Sequence, residues 1–286
     1  MPNQDPNFLG NRVINDFGNE WSRFHYLNNR DSQSIKDQFY LYSEILNLDS
    51  THYSKAADFG AGSGRWTELL LPHVDHVFAI EPSSEAFEIL KLRFSRAKKV
   101  SIQKASIEQC SIDENTLDLA ICLGVLHHVP NIHGSIEKIY SLLKPGGTFL
   151  GYLYYNFENR SALYRLIWRL SDYIRKFVSA LPKRLKFLIC DLIALLIYFP
   201  LSKISKALQA MNFSVSNFPL HHYSDLSFYV MRNDALDRFG TTLEVRFSQQ
   251  QIINIFAIAG FDVSTMKYSE KEPFWTFKVQ KPFSLQ

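Results

Sequence analysis

The sequence has little cysteine, no strong excess of either charge and no long uninterrupted apolar run. Three cysteines, Cys110, Cys122 and Cys190, occur in 286 residues and show no paired spacing. This argues against a disulfide framework and a zinc site, and it favours a reducing cytoplasm. The net charge is only +3, which argues against a general nucleic-acid binder. We therefore expect no metal site and no nucleic-acid partner.

Signals for export or membrane crossing are also weak. Residues 1–10 are polar, so we expect no signal peptide there. The apolar core of a later segment, residues 187–199, is shorter than the roughly 20 residues that a bilayer span needs. Asp191 interrupts it as well, and we expect no transmembrane helix. The cytoplasm is the expected location, with attachment to the inner face of the membrane as an addition.

A glycine-rich turn is the most informative feature present. Gly60, Gly62 and Gly64 stand at alternate positions between a short apolar run, residues 56–59, and an amphipathic run, residues 66–71. This pattern predicts a strand, a turn and a helix. Glycine leaves room for a ligand against the backbone and permits positive φ, and a helix N-terminus attracts an anionic group. The G-x-G-x-G spacing differs from the G-x-G-x-x-G of dinucleotide folds, which disfavours a nicotinamide oxidoreductase.

An acid follows the turn at a meaningful distance. Glu81 closes the next apolar run, residues 77–80, about 20 residues after the turn, where it can accept hydrogen bonds from two ribose hydroxyls. A structural turn without a ligand is the alternative. The combination of turn and acid favours a ligand that contains a nucleoside.

These motifs resemble those of the class I S-adenosylmethionine (SAM) dependent methyltransferases, nearest the small-molecule branch that includes the ubiquinone C-methyltransferases. Four segments carry the resemblance in the family's order, residues 58–64, 80–82, 117–130 and 142–147. The last of them matches the turn before the fifth strand, so we expect residues 145–147 in a turn and the strand at 148–154. The resemblance is strong over residues 50–155 and weak over 245–282. It implies an α/β fold with a seven-stranded Rossmann-like sheet and an antiparallel last strand. It also implies SAM as cofactor.

The resemblance further implies the residues that hold SAM. The Leu123 carbonyl would hold the methionine amino group, and Ile107 would cover the adenine. The acid that often follows the third strand in the family is replaced by Ala105, so Ser106 or the backbone must substitute. The expected cofactor-binding residues are Asp58, Gly60, Gly62, Gly64, Glu81, Ser106, Ile107 and Leu123.

The methyl acceptor should lie at the carboxyl ends of the fourth and fifth strands. A histidine with a near-neutral pKa suits the deprotonation of a hydroxyl, which makes His127 and His128 candidate bases, although such residues often pack or cap a helix. Later in the chain, His221 is a further candidate. Arg232 and Arg246 would clamp an anionic acceptor group. The expected catalytic residues are His127, His128, His221 and Arg246.

Four regions are expected along the chain. They are an N-terminal arm and helix (1–50), the SAM-binding core (51–155), a mostly helical insert (156–246), and a last helix and hairpin that complete the core (247–286). In the arm, residues 16–24 resemble segments that fold over the SAM pocket, or they only anchor the arm. Residues 161–181 predict an amphipathic helix whose apolar stripe must pack, and residues 185–199 a helix that Pro200 ends.

The insert is unusually basic. Residues 160–207 hold ten Lys and Arg against two acids, a net charge of +8 that leaves −5 for the rest of the chain. Our first interpretation of the insert is a helical cap over the acceptor site. The second, compatible with it, is a peripheral contact of residues 160–207 with an anionic membrane.

Taken together, the motifs predict a SAM-dependent methyltransferase with a small-molecule or a lipid- or sugar-linked acceptor. No Asn/Asp-Pro-Pro-aromatic tetrapeptide follows the fourth strand, where residues 124–127 read Gly-Val-Leu-His, and no clustered cysteines of the arsenite enzymes are present. O-methylation is favoured. Methylation of carbon, nitrogen or sulfur, and a SAM-binding protein without catalysis, are the alternatives. The oligomeric state is left open.

Overall fold

A computed structural model describes residues 6–26, 32–158, 160–215, 218–270 and 275–283. The chain divides into two compact units. The first comprises residues 1–21, 25–159 and 243–286, and the second comprises residues 22–24 and 160–242. The first unit contains a β-sheet with flanking helices, and the second is helical.

Seven strands in the described part of the first unit form one sheet. In chain order they are β1 (Tyr53–Phe59), β2 (Val74–Ile80), β3 (Val100–Gln103), β4 (Leu117–Leu123), β5 (Leu143–Leu153), β6 (Asp262–Tyr268) and β7 (Trp275–Gln280). Their order across the sheet is β3-β2-β1-β4-β5-β7-β6. Neighbours from β3 to β5 are parallel, whereas β7 is antiparallel to both β5 and β6. The predicted Rossmann-like sheet with an antiparallel last strand is confirmed.

Helices of the first unit precede the first strand or connect the strands. They are α1 (Pro6–Arg23), whose last residues belong to the second unit, α2 (Ser32–Ser43), α3 (Arg65–Leu70), α4 (Ser84–Arg93), α5 (Ile132–Leu142) and α10 (Gln249–Ile258). Ser83 caps α4 by accepting a hydrogen bond from the Ala86 amide. Ser248 forms a capping box with Gln251 at the start of α10. These caps satisfy amides that a helix start leaves without partners.

Both faces of the sheet are covered. Along β4, Leu117 and Ala120 belong to one buried cluster, while Leu119 and Ile121 belong to the cluster on the other face. A parallel sheet buried on both sides requires such a continuous apolar run. The strand order reverses between β1 and β4, and open α/β sheets bind ligands at the carboxyl ends of the strands on either side of such a switch point.

The fifth strand begins earlier than the sequence indicated. Residues 145–147, expected as a turn before the strand, lie within β5, which starts at Leu143. Its pairing with β4 changes register between Leu117 and Leu119, and Gly146 has a φ of 78°. A bulge of this kind lets the glycines stay inside the ladder, so the expected turn is part of the strand.

The second unit consists of α6 (Ala162–Ser179), α7 (Lys183–Ile193), α8 (Phe199–Ala210) and α9 (Phe228–Gly240). A π-helical turn, Ala194–Tyr198, joins α7 and α8 into one helix of 28 residues, Lys183–Ala210. The predicted end at Pro200 is therefore wrong. The wide π turn just before Pro200 accommodates a ring that would clash with a carbonyl in a regular helix.

Among the described residues, this one helix has the length and apolar composition to cross a membrane. The apolar segment was expected to be too short for a span, but the helix continues past Pro200 to Ala210. Asp191 remains within the helix.

Candidate functional site

The glycine turn after β1 has the conformation that its sequence requires. Gly60, Gly62 and Gly64 have φ values of 72°, 57° and 82°, in the left-handed region that favours glycine. A Cβ atom on Gly60 would lie 2.5 Å from the Val125 side chain, and one on Gly62 would lie 2.7 Å from the Trp21 ring. A larger residue at either position would be strained and would displace a neighbour.

Glu81 is tied to this turn. Its Oε2 accepts a hydrogen bond from the Gly62 amide at 2.8 Å, and its Oε1 accepts one from the Ser83 amide at 2.8 Å. Parallel pairing of Phe59 with Ile80 places the ends of β1 and β2 side by side, which brings the acid to the turn. Burial raises the pKa of Glu81 to about 7, and the two hydrogen bonds oppose that rise.

Asp58 is a second buried carboxylate next to the turn. Its Oδ2 accepts a hydrogen bond from the Thr67 hydroxyl at 2.6 Å. Burial raises the pKa of Asp58 to about 6, against the hydrogen bonds from Thr67 and the charge of Arg65. The charge of Asp58 in turn contributes to the raised pKa of Glu81. Two carboxylates held this way favour a ligand that carries positive charge or donates hydrogen bonds.

The other expected cofactor residues lie at the same edge of the sheet. Leu123 ends β4 and is buried. Ile107, in the loop after β3, is buried in the cluster that contains Phe59 and Ile80. Ser106 precedes it, is partly buried, and accepts a hydrogen bond from the Gln109 amide through its carbonyl oxygen.

Helix α1 contacts the turn. The Trp21 ring lies against Gly62, and Gly18 lies against the side chains of Ser83 and Glu85. The Phe17 ring meets the His128 ring edge-on at 4.8 Å between centroids. Residues of the predicted segment 16–24 thus pack on the carboxyl edge of the sheet. A ligand that reaches the Gly62 backbone therefore meets Trp21.

His127 lies in a 3₁₀ turn, Leu126–His128, just after β4. It is fully buried, and its ring stacks on that of Tyr154 with 3.8 Å between centroids. Neither ring nitrogen has a hydrogen-bond partner among the described residues. Burial lowers the pKa of His127 well below its usual value, and the charges of His128 and Arg246 add to that effect. The imidazole is therefore neutral and has a lone pair that can accept a proton.

His128 is held differently from its neighbour. Its Nδ1 lies 2.5 Å from the Leu243 carbonyl oxygen, so this nitrogen carries the proton and donates. The backbone of the same returning segment is bonded to the turn, since the Val245 amide donates to the His127 carbonyl at 2.9 Å. These contacts fix the orientation of His128, which fits the packing alternative better than a catalytic base.

The arginine clamp expected for an anionic acceptor has no support in the geometry. Arg246 donates to Glu244 Oε1 at 2.8 Å, and Glu244 is buried, so a carboxylate balances the charge of Arg246. The Arg232 guanidinium holds both oxygens of Asp191, at 2.9 and 3.0 Å. Both forks thus bind carboxylates of the chain itself. Sequence spacing does not reveal such pairs, because tertiary packing decides them.

The structure brings three of the four expected catalytic residues into the first unit. His127, His128 and Arg246 surround Tyr154, whose ring also lies 4.8 Å from the Arg246 guanidinium carbon. His221 belongs to the second unit, where it begins a 3₁₀ turn, His221–Tyr223. Among the described residues, no group of three or more His, Cys, Asp or Glu is placed to hold a metal ion.

Comparison with known proteins identifies a domain within the first unit. Residues 57–151 match the family described as a methyltransferase domain. This region is a methyltransferase domain. SAM is the cofactor that the sequence motifs predicted for it. The glycine turn, Asp58 and Glu81 fit that cofactor, because they offer hydrogen-bond acceptors and negative charge to a ligand with ribose hydroxyls and positive groups.

Relatives of this methyltransferase domain have several chemistries. The chain is 26% identical over 135 residues to a ubiquinone biosynthesis O-methyltransferase of Colwellia psychrerythraea, covering 46% of this chain and 55% of the enzyme. It is 29% identical over 129 residues to the highly reducing polyketide synthase ctvA of Aspergillus terreus, covering 41% of this chain and 5% of the synthase. The chain thus spans about half of the first relative and a small part of the second.

A solved structure supports the fold of the methyltransferase. The 1,6-didemethyltoxoflavin-N1-methyltransferase of Burkholderia thailandensis, solved with 1,6-didemethyltoxoflavin and S-adenosylhomocysteine, matches with a TM-score of 0.56 at 15% identity. The match covers 99% of this chain and 92% of that enzyme. At this identity the likeness shows a shared fold.

Proposed function

We propose that the protein transfers the methyl group of SAM to a hydroxyl of a small-molecule or a lipid- or sugar-linked acceptor. The observation that carries the proposal is His127. It is a buried, neutral imidazole without a hydrogen-bond partner among the described residues, at the carboxyl end of β4. A ring nitrogen without a partner at this edge can accept a hydrogen bond from an acceptor hydroxyl. The pKa lies below the near-neutral range that the sequence analysis expected, which makes His127 a weaker base than an ordinary histidine.

The cofactor would be held by the residues around the turn. Glu81 suits the ribose hydroxyls, since each of its oxygens still has a lone pair beyond the bond to Gly62 or Ser83. Asp58 suits the positive end of the ligand, because its carboxylate is buried beside the turn. The Leu123 carbonyl, at the end of β4, suits the methionine ammonium. These assignments are part of the proposal.

The residues of the chain would supply only a proton acceptor and the positioning of the two substrates. Bound SAM supplies an electrophilic methyl group on a sulfonium sulfur. His127 would take the acceptor's hydroxyl proton while the oxygen–carbon bond forms and the carbon–sulfur bond breaks, leaving a neutral thioether. Burial keeps the imidazole unprotonated at neutral pH and also weakens it as a base, so the proton would move only as the new oxygen–carbon bond forms. The protein otherwise contributes positioning.

Two observations favour oxygen and a planar or apolar acceptor. Relatives named ubiquinone biosynthesis O-methyltransferases favour transfer to oxygen. Aromatic side chains, including those of Tyr154 and Tyr152, lie around His127 and suit an apolar acceptor. Transfer to nitrogen is the second candidate, since the Burkholderia structural relative is named an N1-methyltransferase.

The test is the release of S-adenosylhomocysteine with a panel of acceptors. The panel contains phenols and catechols, amines, thiols, and lipid- and sugar-linked alcohols, each incubated with SAM and the full chain. We expect turnover with a hydroxyl acceptor. Turnover with amines or thiols alone would overturn O-methylation, and the absence of turnover with every acceptor would favour a SAM-binding protein without catalysis.

His127→Asn distinguishes a catalytic role of His127 from a structural one. We expect kcat to fall by about 100-fold or more, in the range of general-base catalysis, while the Kd of S-adenosylhomocysteine stays within about twofold. The matched control is His133→Asn, because His133 is an exposed histidine on α5. Equal kcat values for His127→Asn and the control would remove His127 from the reaction.

A further inference from the structure

Most of the apolar stripe of α6 is not packed inside the protein. The sequence predicted that this stripe must pack; Val178 is buried, whereas seven large apolar side chains on the same helix are between 52% and 70% exposed. They are Leu163, Leu166, Ile167, Leu170, Tyr173, Ile174 and Phe177. Large apolar side chains that line one face of a helix and stay in contact with solvent mark an interaction surface.

The helix formed by α7 and α8 repeats this arrangement. Its exposed apolar side chains have exposed fractions between 39% and 67%. They are Leu185, Leu188, Leu192, Leu195, Leu196, Ile197, Phe199 and Ile204. Only 22% of its most apolar 18-residue stretch is buried. We call the exposed apolar residues of α6 and of α7–α8 the outer face.

Polar groups occupy the inner side of these helices. On α7–α8 the buried positions include Lys186, Ser202 and Ser205. On α6 they include Arg175, whose Nη1 donates to the Thr241 carbonyl and whose Nε donates to Asp172. The second unit therefore buries some polar residues beside apolar ones such as Tyr198 and Met231, while many large apolar side chains of α6 and α7–α8 stay exposed.

An ion-pair cluster extends this polar interior. Asp191 on α7 accepts hydrogen bonds from Arg232 on α9 and from Arg23. Arg238 on α9 donates to the Ser171 hydroxyl on α6 at 3.2 Å. Both helices that carry the outer face are thus joined to α9 by polar contacts. A helix of a water-soluble protein usually turns its apolar side inward, whereas these two helices leave most of their large apolar side chains exposed.

We propose that the outer face of α6 and α7–α8 docks on an anionic lipid bilayer, with both helices lying in the interface. Acyl chains would cover the apolar side chains. The inner side would stay hydrated and would keep its polar contacts with α9. An interfacial helix combines an apolar face with flanking Lys and Arg in this way. The inference rests on the second unit alone and does not depend on methyl transfer.

Charge favours an anionic membrane over other apolar partners. Residues 160–207, which contain the outer face, have a net charge of +8, whereas the rest of the chain has −5. A second copy of the chain would bring the same positive charge to the interface, and like charges repel. Anionic headgroups would instead attract Lys183 and Arg184, both exposed at the start of α7.

The helices would lie in the interface rather than cross the membrane, because α7–α8 carries a charged residue that is paired with α9. A crossing helix would take Asp191 into the hydrocarbon, and with it the ion partner Arg232 on α9. Charged groups at that depth are costly. In the interface, the same polar side stays hydrated while the outer face reaches the acyl chains.

Flotation with vesicles tests the proposal on the full chain. Vesicles of phosphatidylglycerol and phosphatidylcholine in equal parts are compared with vesicles of phosphatidylcholine alone. We expect binding to the anionic vesicles at least ten times stronger, weakened by high salt. We also expect release from the vesicles by alkaline carbonate, which leaves spanning helices in place.

Variants of the outer face give the decisive comparison. We expect Leu170→Glu with Leu196→Glu to weaken vesicle binding by tenfold or more. The matched control, Leu92→Glu with Ile258→Glu, changes two apolar residues of the first unit that are 65% and 71% exposed, and it should bind like the wild type.

Three results would overturn the proposal. They are no binding to anionic vesicles, equal binding by the two double variants, and resistance to carbonate. A dimer by light scattering that the outer-face variant makes monomeric, without vesicle binding by the wild type, would assign the outer face to a second copy.

Discussion

At the scale of the residue, Gly62 contacts both the carboxylate of Glu81 and the ring of Trp21. Its amide donates to Glu81, its φ is 57°, and the Trp21 ring lies against the position of a missing Cβ. A β-branched residue there would be strained in φ and would push against Trp21. One position thus controls both the shape of the turn and the space above it.

We expect Gly62→Val to abolish binding of S-adenosylhomocysteine, raising its Kd by at least 100-fold, while circular dichroism still shows a folded chain. Calorimetric titration measures the change. Gly10→Ala is the control, since a Cβ there would make only an ordinary contact, 3.8 Å from Pro130. A folded Gly62→Val chain that binds like the control would place the ligand elsewhere.

The sequence predicted the turn and Glu81 well because both follow from local rules. Glycines at positive φ and an acid at the end of the adjacent parallel strand are neighbours in any fold of this kind. It did not predict the pairing of Arg232 with Asp191, because 41 residues separate them and packing of α7 against α9 brings them together. The same holds for Arg246, whose charge was assigned to an acceptor and is balanced by Glu244.

At the scale of the element, α1 and α7–α8 depart most from a simple α/β core. Helix α1 packs on a turn that follows it by about 40 residues. The resemblance indicated that residues 16–24 fold over the pocket, and the structure adds the specific contact of Trp21 with Gly62. In α7–α8, Pro200 indicated a helix end, yet the π turn carries the helix past it. The helix end predicted at Pro200 was wrong because a π-helical turn, which is wider than a regular α-helical turn, precedes the proline.

Trp21 provides a test of the contact between α1 and the turn. A ligand on the Gly62 backbone must touch or displace the indole, so we expect S-adenosylhomocysteine to change the tryptophan emission. Most of that change should disappear in Trp21→Phe and remain in Trp168→Phe, a tryptophan of the second unit. A full change in Trp21→Phe would show that the ligand does not reach the turn beneath α1.

At the scale of the whole molecule, the buried carboxylates make stability depend on pH. Burial raises the pKa of Asp58 from 3.8 to about 6 and that of Glu81 from 4.5 to about 7. The folded chain then keeps protons that the unfolded chain has lost. The free energy of unfolding therefore falls as pH rises from about 4 to about 7 and is lower above that range.

We expect Glu81 alone to lower the free energy of unfolding of the ligand-free chain by about 3 kcal/mol between pH 4.5 and pH 8. Glu81→Gln has no proton to lose, so its free energy of unfolding should fall less over the same range. Urea unfolding at the two pH values measures both. Parallel pH dependences for wild type and Glu81→Gln would show that Glu81 is ionised in the free protein.

The cap that the sequence predicted for the insert stays a prediction at this scale. The insert forms a compact unit of its own, with the bounds 160–242 close to the predicted 156–246. Its helices were predictable from apolar spacing, but the direction of their apolar faces was not. Spacing shows that one side of a helix is apolar, and only the packed structure shows which side the protein covers.

We propose that SAM binds at the turn through Glu81, and calorimetric titration of the wild type and Glu81→Ala measures this contact. We expect the wild type to bind SAM and S-adenosylhomocysteine and to show no binding of NAD. Loss of hydrogen bonds to a charged group should weaken both ligands equally in Glu81→Ala, by about 1.5–3 kcal/mol. Unchanged Kd values for both ligands in Glu81→Ala, or binding of NAD in place of SAM, would contradict the account.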